Sequence, residues 1–228
     1  MDTQFPWLPQ VMQQSPNLEV LRLPFAREGG DAWEALGLNG VRLKELSVPH
    51  APQSLLRYLA SYSGLERVVI GTSSGRDDRA PFFWESVLPR HAESLKGLVC
   101  PSYSAGPWCF GRHNITLISD LRQLDTLEIG IDLDERWVQH EKDIVELFME
   151  MASEMPLLRK IAIIVALQPQ GGCRNYLARL QDSIDSHVDK TVDSFGAAHP
   201  SPAIAHLIKT HHQRSKVYRQ RHPLEWLR

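Results

Sequence analysis

One six-residue pattern recurs six times along the 228-residue chain: an apolar residue, two mostly polar ones, then apolar, any, apolar. It reads Leu18-Glu-Val-Leu-Arg-Leu23, Leu43-Lys-Glu-Leu-Ser-Val48, Leu65-Glu-Arg-Val-Val-Ile70, Leu95-Lys-Gly-Leu-Val-Cys100, Leu124-Asp-Thr-Leu-Glu-Ile129 and Leu158-Arg-Lys-Ile-Ala-Ile163. The leading leucines are spaced by 25, 22, 30, 29 and 34 residues. All eighteen residues at positions one, four and six are apolar. Alternation at the end of each hexad is the period of a half-buried strand. Position seven holds Pro24, Pro49, Gly71, Pro101, Gly130 and Ile164, and the first five are residues that stop strands. Each cycle is therefore expected to hold one short strand ending at a fixed place.

Between the hexads lie apolar residues at helical spacing. Leu55, Leu56 and Leu59 follow Pro52, and Phe82, Phe83, Val87 and Leu88 follow Pro81. Ile115, Leu117, Ile118 and Leu121 form a third set. Ile144, Val145, Leu147, Phe148, Met151 and Met155 form the longest, closed by Pro156, while Trp33, Leu36 and Leu38 suggest a single turn. A strand followed by a helix returns to the next strand in parallel. Strands sit about 4.8 Å apart and helices about 8–10 Å apart, so such a stack curves with its strands inside. No single cycle buries its own apolar face, and stacking supplies the core.

These hexads resemble leucine-rich repeats of the longer, irregular, ribonuclease-inhibitor-like type. Their uneven spacing is similar to the leucine-rich region of fungal F-box proteins. The closest likeness runs from Phe83-Trp84-Glu85-Ser86-Val87-Leu88-Pro89 through Leu95-Lys96-Gly97-Leu98, then Trp108-Cys109-Phe110-Gly111. It covers about Ser15 to Leu167. The fold it implies is α/β: a curved solenoid with a parallel sheet on the concave side and helices outside. The function it implies is a non-catalytic protein–protein interaction module, the substrate-recognition part of an F-box-type ubiquitin-ligase adaptor. A free-standing structural scaffold and an enzyme with a site in the irregular loops are the alternatives. The sequence departs from the pattern in two ways. The turn place that usually carries Asn or Cys holds Ala26, Ala51, Ser73, Tyr103, Asp132 and Ala166, so the usual side-chain ladder is expected to be missing. The helical F-box module does not precede the repeats in this sequence. Trp7, Leu8, Val11 and Met12 read as the outer helix of a preceding cycle, which makes the chain a C-terminal portion of a longer repeat protein; a short capping helix is the other reading.

The organisation expected is a solenoid over 1–167, of about six strand–helix cycles, and a helical C-terminal segment over 168–228. In the latter, Tyr176, Leu177, Leu180, Ile184 and Val188 suit a helix to about Val192, and Ala203, Ile204, Leu207 and Ile208 a second, short one. A basic tail (Arg214, Lys216, Arg219, Arg221, Arg228) closes the chain.

Position two of the hexads alternates in sign: Glu19, Lys44, Glu66, Lys96, Asp125, Arg159. Parallel strands in register would set these side by side, which serves register more than binding. Positions three and five give a face with Arg67, Val69, Val99 and Glu128 near its middle, an apolar centre with a charged rim, as a protein interface needs. A covering segment of the chain is the equal alternative. Loops at Thr72–Ala80, Ser102–Arg112 and Ile131–Trp137 leave the same strand ends. The middle one carries Tyr103, Trp108, Phe110 and Arg112, residue types that dominate interface hot spots. Trp108 and Phe110 folding back into the solenoid is the competing reading.

Lys plus Arg number 25 and Asp plus Glu 27, a formal charge of −2, so no whole-molecule attraction draws the chain to nucleic acid or an anionic membrane. The expected partner is a protein. Three cysteines make no disulfide framework, and an intracellular setting, cytoplasmic or nuclear, is expected. No cofactor or metal is expected. His199, His206, His211 and His212 lack partnering cysteines or carboxylates, and Cys100, Cys109 and His113 fall short of a zinc set. No phosphate loop or nucleophile elbow occurs. For an enzyme, the discriminator is whether His113, Asp132, Asp134 and His140 converge on a cleft.

Overall fold

The hexads become strands β1 (Val20–Arg22), β2 (Glu45–Val48), β3 (Arg67–Ile70), β4 (Gly97–Cys100), β5 (Thr126–Asp132) and β6 (Lys160–Ala166). They form one sheet in chain order, and every neighbouring pair is parallel. This computed structural model describes residues 10, 14–24, 30–71, 77–102, 104–132, 143–166 and 174–198.

The register is that of the hexads. Val20, Glu45, Arg67, Gly97, Thr126 and Lys160, all at position three, lie side by side. The carbonyl of Glu19 at position two accepts from the N–H groups of both Lys44 and Glu45 in the next cycle. The same two-to-one contact repeats at Lys44, Glu66, Lys96 and Asp125, at 2.7–3.1 Å. A carbonyl oxygen has two lone pairs, so both bonds are made in full.

Among the described residues six α-helices lie between and after the strands: α1 (Gly30–Leu38), α2 (Gln53–Ala60), α3 (Ala80–Phe82), α4 (Ile115–Ser119), α5 (Ile144–Glu154) and α6 (Arg174–Ala198). Neighbours touch in series: α1 with α2, α2 with the turn that extends α3, α4 with α5, and α5 with α6. Crossovers of one hand that always step in one direction put their helices on one face of a sheet. The core lies between. Sixteen of the eighteen hexad residues are buried, and only Leu18 and Leu23, in the first cycle, are half-buried.

Local chemistry sets the helix ends. Pro52 stands extended before α2, whose Leu55, Leu56, Tyr58 and Leu59 are buried. The Asp143 carboxylate caps α5 by accepting from the N–H groups of Val145 (2.7 Å) and Glu146 (3.3 Å). α1 closes on Gly40, whose φ of 66° allows the Val41 N–H to reach the Leu36 carbonyl at 3.0 Å.

Several elements differ from the expectation. α1 has nine residues rather than one turn. The helix after Pro81 is not regular: α3 passes into a π-helical turn (Phe83–Val87) and then a 3₁₀ turn (Leu88–His91). Pro89 has no N–H to give Glu85, and the Leu88 N–H reaches back to Phe83 instead. α6 runs past Val192 to Ala198 because Phe195 extends the buried stripe of Val188 and Val192. Gly130 does not stop its strand. β5 continues to Asp132, paired with β6 throughout, and Gly130 answers a close approach: a β-carbon there would stand 2.5 Å from the Ser102 carbonyl oxygen. Residues 1–9, 11–13, 25–29, 72–76, 103, 133–142, 167–173 and 199–228 lie outside the described residues. The expected N-terminal helix, the short second C-terminal helix and the basic tail fall largely or wholly among them. No helix among the described residues is long and apolar enough to cross a membrane.

A ladder of rings links the first three cycles. Trp33, Tyr58, Tyr62 and His91 follow one another at centroid spacings of 6.3, 5.1 and 5.2 Å. The Tyr58 hydroxyl donates to the Val41 carbonyl (2.9 Å) and the Tyr62 hydroxyl to that of Leu43 (3.1 Å). Both carbonyls lie just ahead of β2, the strand that leads into the segment carrying the two tyrosines.

Candidate functional site

Positions three and five of the hexads line the sheet face opposite the buried leucines. Val69 and Val99 are register partners and both half-buried. Arg67 lies beside them with its side chain across Gly97: a β-carbon there would stand 3.0 Å from Arg67 Cγ and Nη1. Toward β1, Arg22 is exposed and its Nη2 meets the Glu45 carboxylate at 3.1 Å. Toward β6 the face closes. Glu128 is 2% exposed, and Ala162, its register neighbour, is also buried. Glu128 is thus corrected from a surface contact to a buried carboxylate, because burial at its end of the face removes it from reach.

The alternating charges at position two form discrete pairs. Lys44 Nζ meets Glu19 Oε1 at 2.6 Å, and Lys96 Nζ meets Glu66 Oε2 at 2.6 Å. The hydrogen bond to Glu19 raises the Lys44 ammonium above its usual value, and that from Lys96 lowers the Glu66 carboxyl. Oδ1 of Asp125, the next acid in the row, is buried without a hydrogen bond. Exposed pairs of this kind contribute little stability.

The aromatic loop turns inward. Trp108 and Phe110 are 1% and 2% exposed and do not present a contact surface as they stand. The Trp108 ring lies 5.3 Å from that of Phe83 and 6.1 Å from that of Trp84. Trp84 Nε1 in turn donates to the Pro107 carbonyl at 2.8 Å. Phe110 sets its ring edge-on to Phe148 at 5.0 Å, donates its N–H to Gly130 at 2.7 Å, and makes a parallel bridge with Ile131. Large apolar area and a strand edge waiting beyond β4 draw the segment in, which is why the hot-spot reading fails for these two residues. Arg112 stays exposed, and Tyr103 lies outside the described residues.

Asn114 locks this loop. It is fully buried, its Oδ1 accepts from the Gly111 N–H and its Nδ2 donates to the Cys109 carbonyl, each at 3.0 Å. Asn114→Ala would strand a buried donor and a buried acceptor. An expected loss of about 2–3 kcal/mol, read by urea unfolding, follows, with faster hydrogen exchange at Gly111. At the other side of the loop, Asp77 binds Arg79 through both carboxylate oxygens (2.6 and 2.8 Å). Burial works to raise the Asp77 carboxyl, but the Arg79 hydrogen bonds and charge hold it below the usual range. The Trp108 indole sits near enough to assist without completing a hydrogen bond.

For acid–base or nucleophilic chemistry the described residues bring little together. Burial pushes the Cys109 thiol up to about 11 and raises that of Cys100 further. His113 is exposed, with Nε2 3.0 Å from the Pro107 carbonyl. Asp132 is half-buried at the end of β5, and Asp134 and His140 lie outside the described residues. Among the described residues no three His, Cys, Asp or Glu side chains are placed to hold a metal ion. Sequence reasoning did not single out His91 and Asn114, because their importance comes from burial and from contacts made across loops.

No protein-family model, curated protein or solved structure matches the chain.

Proposed function

We propose that the chain is a protein-binding module: a leucine-rich-repeat-like solenoid whose sheet face, around Arg67, Val69 and Val99, receives the partner. The observation that carries the reading is the register. Val69 and Val99 stand side by side, half-exposed, with Arg67, Glu45 and Lys160 in the neighbouring row. A small apolar centre within a charged surround suits a protein surface better than it suits a small molecule. The solenoid reading is supported by strand order that never departs from chain order, by the five identical two-to-one carbonyl contacts, and by helices that touch in series. The likeness to fungal F-box proteins makes a ubiquitin-ligase substrate the first partner class to try.

The test is a double variant, Val69→Glu with Val99→Lys, which sets the base rather than the acid beside Glu128. Opposite charges on adjacent strands avoid cross-strand repulsion, and both sites are half-exposed, so the fold is expected to persist. Proteins that co-purify with the unaltered chain should bind the variant roughly tenfold more weakly or worse. Undiminished capture by a variant that melts normally would remove this face from the binding site.

A further inference from the structure

Arg67 differs from every other arginine whose surroundings are described. Arg42, Arg57, Arg90, Arg112, Arg122 and Arg159 are exposed. Arg22 is exposed and bound to Glu45, and Arg79 is half-buried and bound to Asp77. Arg67 is half-buried, and among the described residues no carboxylate holds its guanidinium: Glu45, its register partner on β2, is taken by Arg22. On the other side, the Arg67 side chain lies over the buried Gly97 of β4, where a β-carbon would stand 3.0 Å from Cγ and Nη1 and 3.2 Å from Cζ. Val69, two residues along, and Val99 beside it form the adjoining half-buried apolar floor. A guanidinium held partly out of water without an acid has already undergone part of the desolvation that an ion pair requires.

We propose that Arg67 reads one acidic side chain, an Asp or Glu of a separate polypeptide, whose carboxylate accepts a two-bond fork from the guanidinium while neighbouring aliphatic residues rest on Val69 and Val99. The inference rests on the sheet-face reading and names the chemistry that this face selects. One carboxylate suits the place better than a phosphate. Glu45 on the next strand repels a dianion, and the next base in the row, Lys160, stands three strands away. The chain itself is poorly placed to supply the acid. Its internal segments outside the described residues, 25–29, 72–76, 103, 133–142 and 167–173, all follow the C-terminal ends of strands, whereas Arg67 opens β3 and the segments entering β2 to β6 are described. Its terminal segments, 1–9, 11–13 and 199–228, carry Asp2 and Glu225 as their only acidic residues.

The probe is a phage-displayed library of random dodecapeptides panned on the full 228-residue protein, with the selected peptides synthesised and titrated by fluorescence anisotropy. Peptides that lose binding to the Val69→Glu, Val99→Lys variant are those seated on the face. They are expected to share an Asp or Glu beside aliphatic residues, and replacing that acid by its amide should weaken them roughly tenfold or more. Arg67→Lys keeps the charge but loses the fork, and should weaken them roughly three- to tenfold. Arg67→Glu should abolish binding, and the same peptide with Lys in place of its acid should recover it. If Arg67→Glu fails to fold, the Arg67→Lys comparison still decides. Face-binding peptides that share no acid, or that ignore the Arg67 variants, would overturn the inference and leave the sheet-face reading standing. A library that yields no saturable binder, or only peptides that bind the Val69→Glu, Val99→Lys variant undiminished, would overturn both. Binding that appears only after Asp2→Asn and Glu225→Gln would assign Arg67 to the chain's own ends and overturn the proposal.

Discussion

Trp108→Ala is expected to cost about 3–5 kcal/mol of stability, whereas Arg112→Ala is expected to change it by less than about 0.5 kcal/mol. The two residues lie on one loop and both belong to types found in binding hot spots, so their separation is a matter of packing alone. Trp108 is 1% exposed and rests on Phe83 and Trp84, while Arg112 is exposed. Truncation at Trp108 leaves a void the size of an indole between the Phe83–Val87 turn and the loop. It also loosens the seat of Pro107, whose carbonyl takes the Trp84 N–H. For a chain of this size the melting temperature should fall by about 10 °C or more. Far-UV circular dichroism reads the transition without depending on the lost fluorophore. A shift within about 2 °C would return the loop to the surface and to the binding reading.

The contrast between strands and loop shows what this sequence makes legible. The hexads are local: three apolar sites in six residues set a strand wherever they occur, and their repetition sets parallel order because each is followed by a crossover. Even the register was readable, since position two alternates in sign and Lys44 and Lys96 do meet Glu19 and Glu66. Residue type could not say which way Trp108 and Phe110 would turn, because aromatics serve interfaces and cores alike. The deciding facts were an open strand edge at Ile131 and rings at Phe83, Trp84 and Phe148, brought together only by the fold. Glu128 was misplaced for a related reason. Its hexad position assigns it to the outer face, but its burial depends on what lies over that face. Gly130 was read as punctuation, when its lack of a side chain answers the approach of Ser102.

His91 is the case in which sequence position says least and packing most, and it carries the second large expectation, a loss of stability in mild acid. The ring is 1% exposed. Its Nδ1 accepts from the Leu65 N–H at 3.2 Å, so the ring proton sits on Nε2 and donates to the Leu59 carbonyl at 3.1 Å. Both contacts suit the neutral ring, and a second proton on Nδ1 would face the Leu65 N–H. Burial, with the neighbouring Arg90 charge and against the Leu59 carbonyl, pushes the imidazole down to about 4 from its ordinary value of 6.5. The unfolded chain therefore binds a proton in this window that the folded chain refuses. Stability is fully present above about pH 6.5 and falls as the pH drops toward 4, by about 3 kcal/mol in all. Carboxylates titrate in the lower part of the same range, so the measurement is a difference. Urea unfolding at pH 7, 6, 5 and 4 should show the unaltered chain losing about 3 kcal/mol more than His91→Gln. Most of that difference should accrue above pH 4.5, before ordinary carboxylates titrate fully. Parallel curves for the two chains would mean that the ring opens to solvent on protonation at little cost. The Tyr62–His91 end of the ring ladder would then be a loose contact, and the stiffness of the helical side would have to come from the leucines alone.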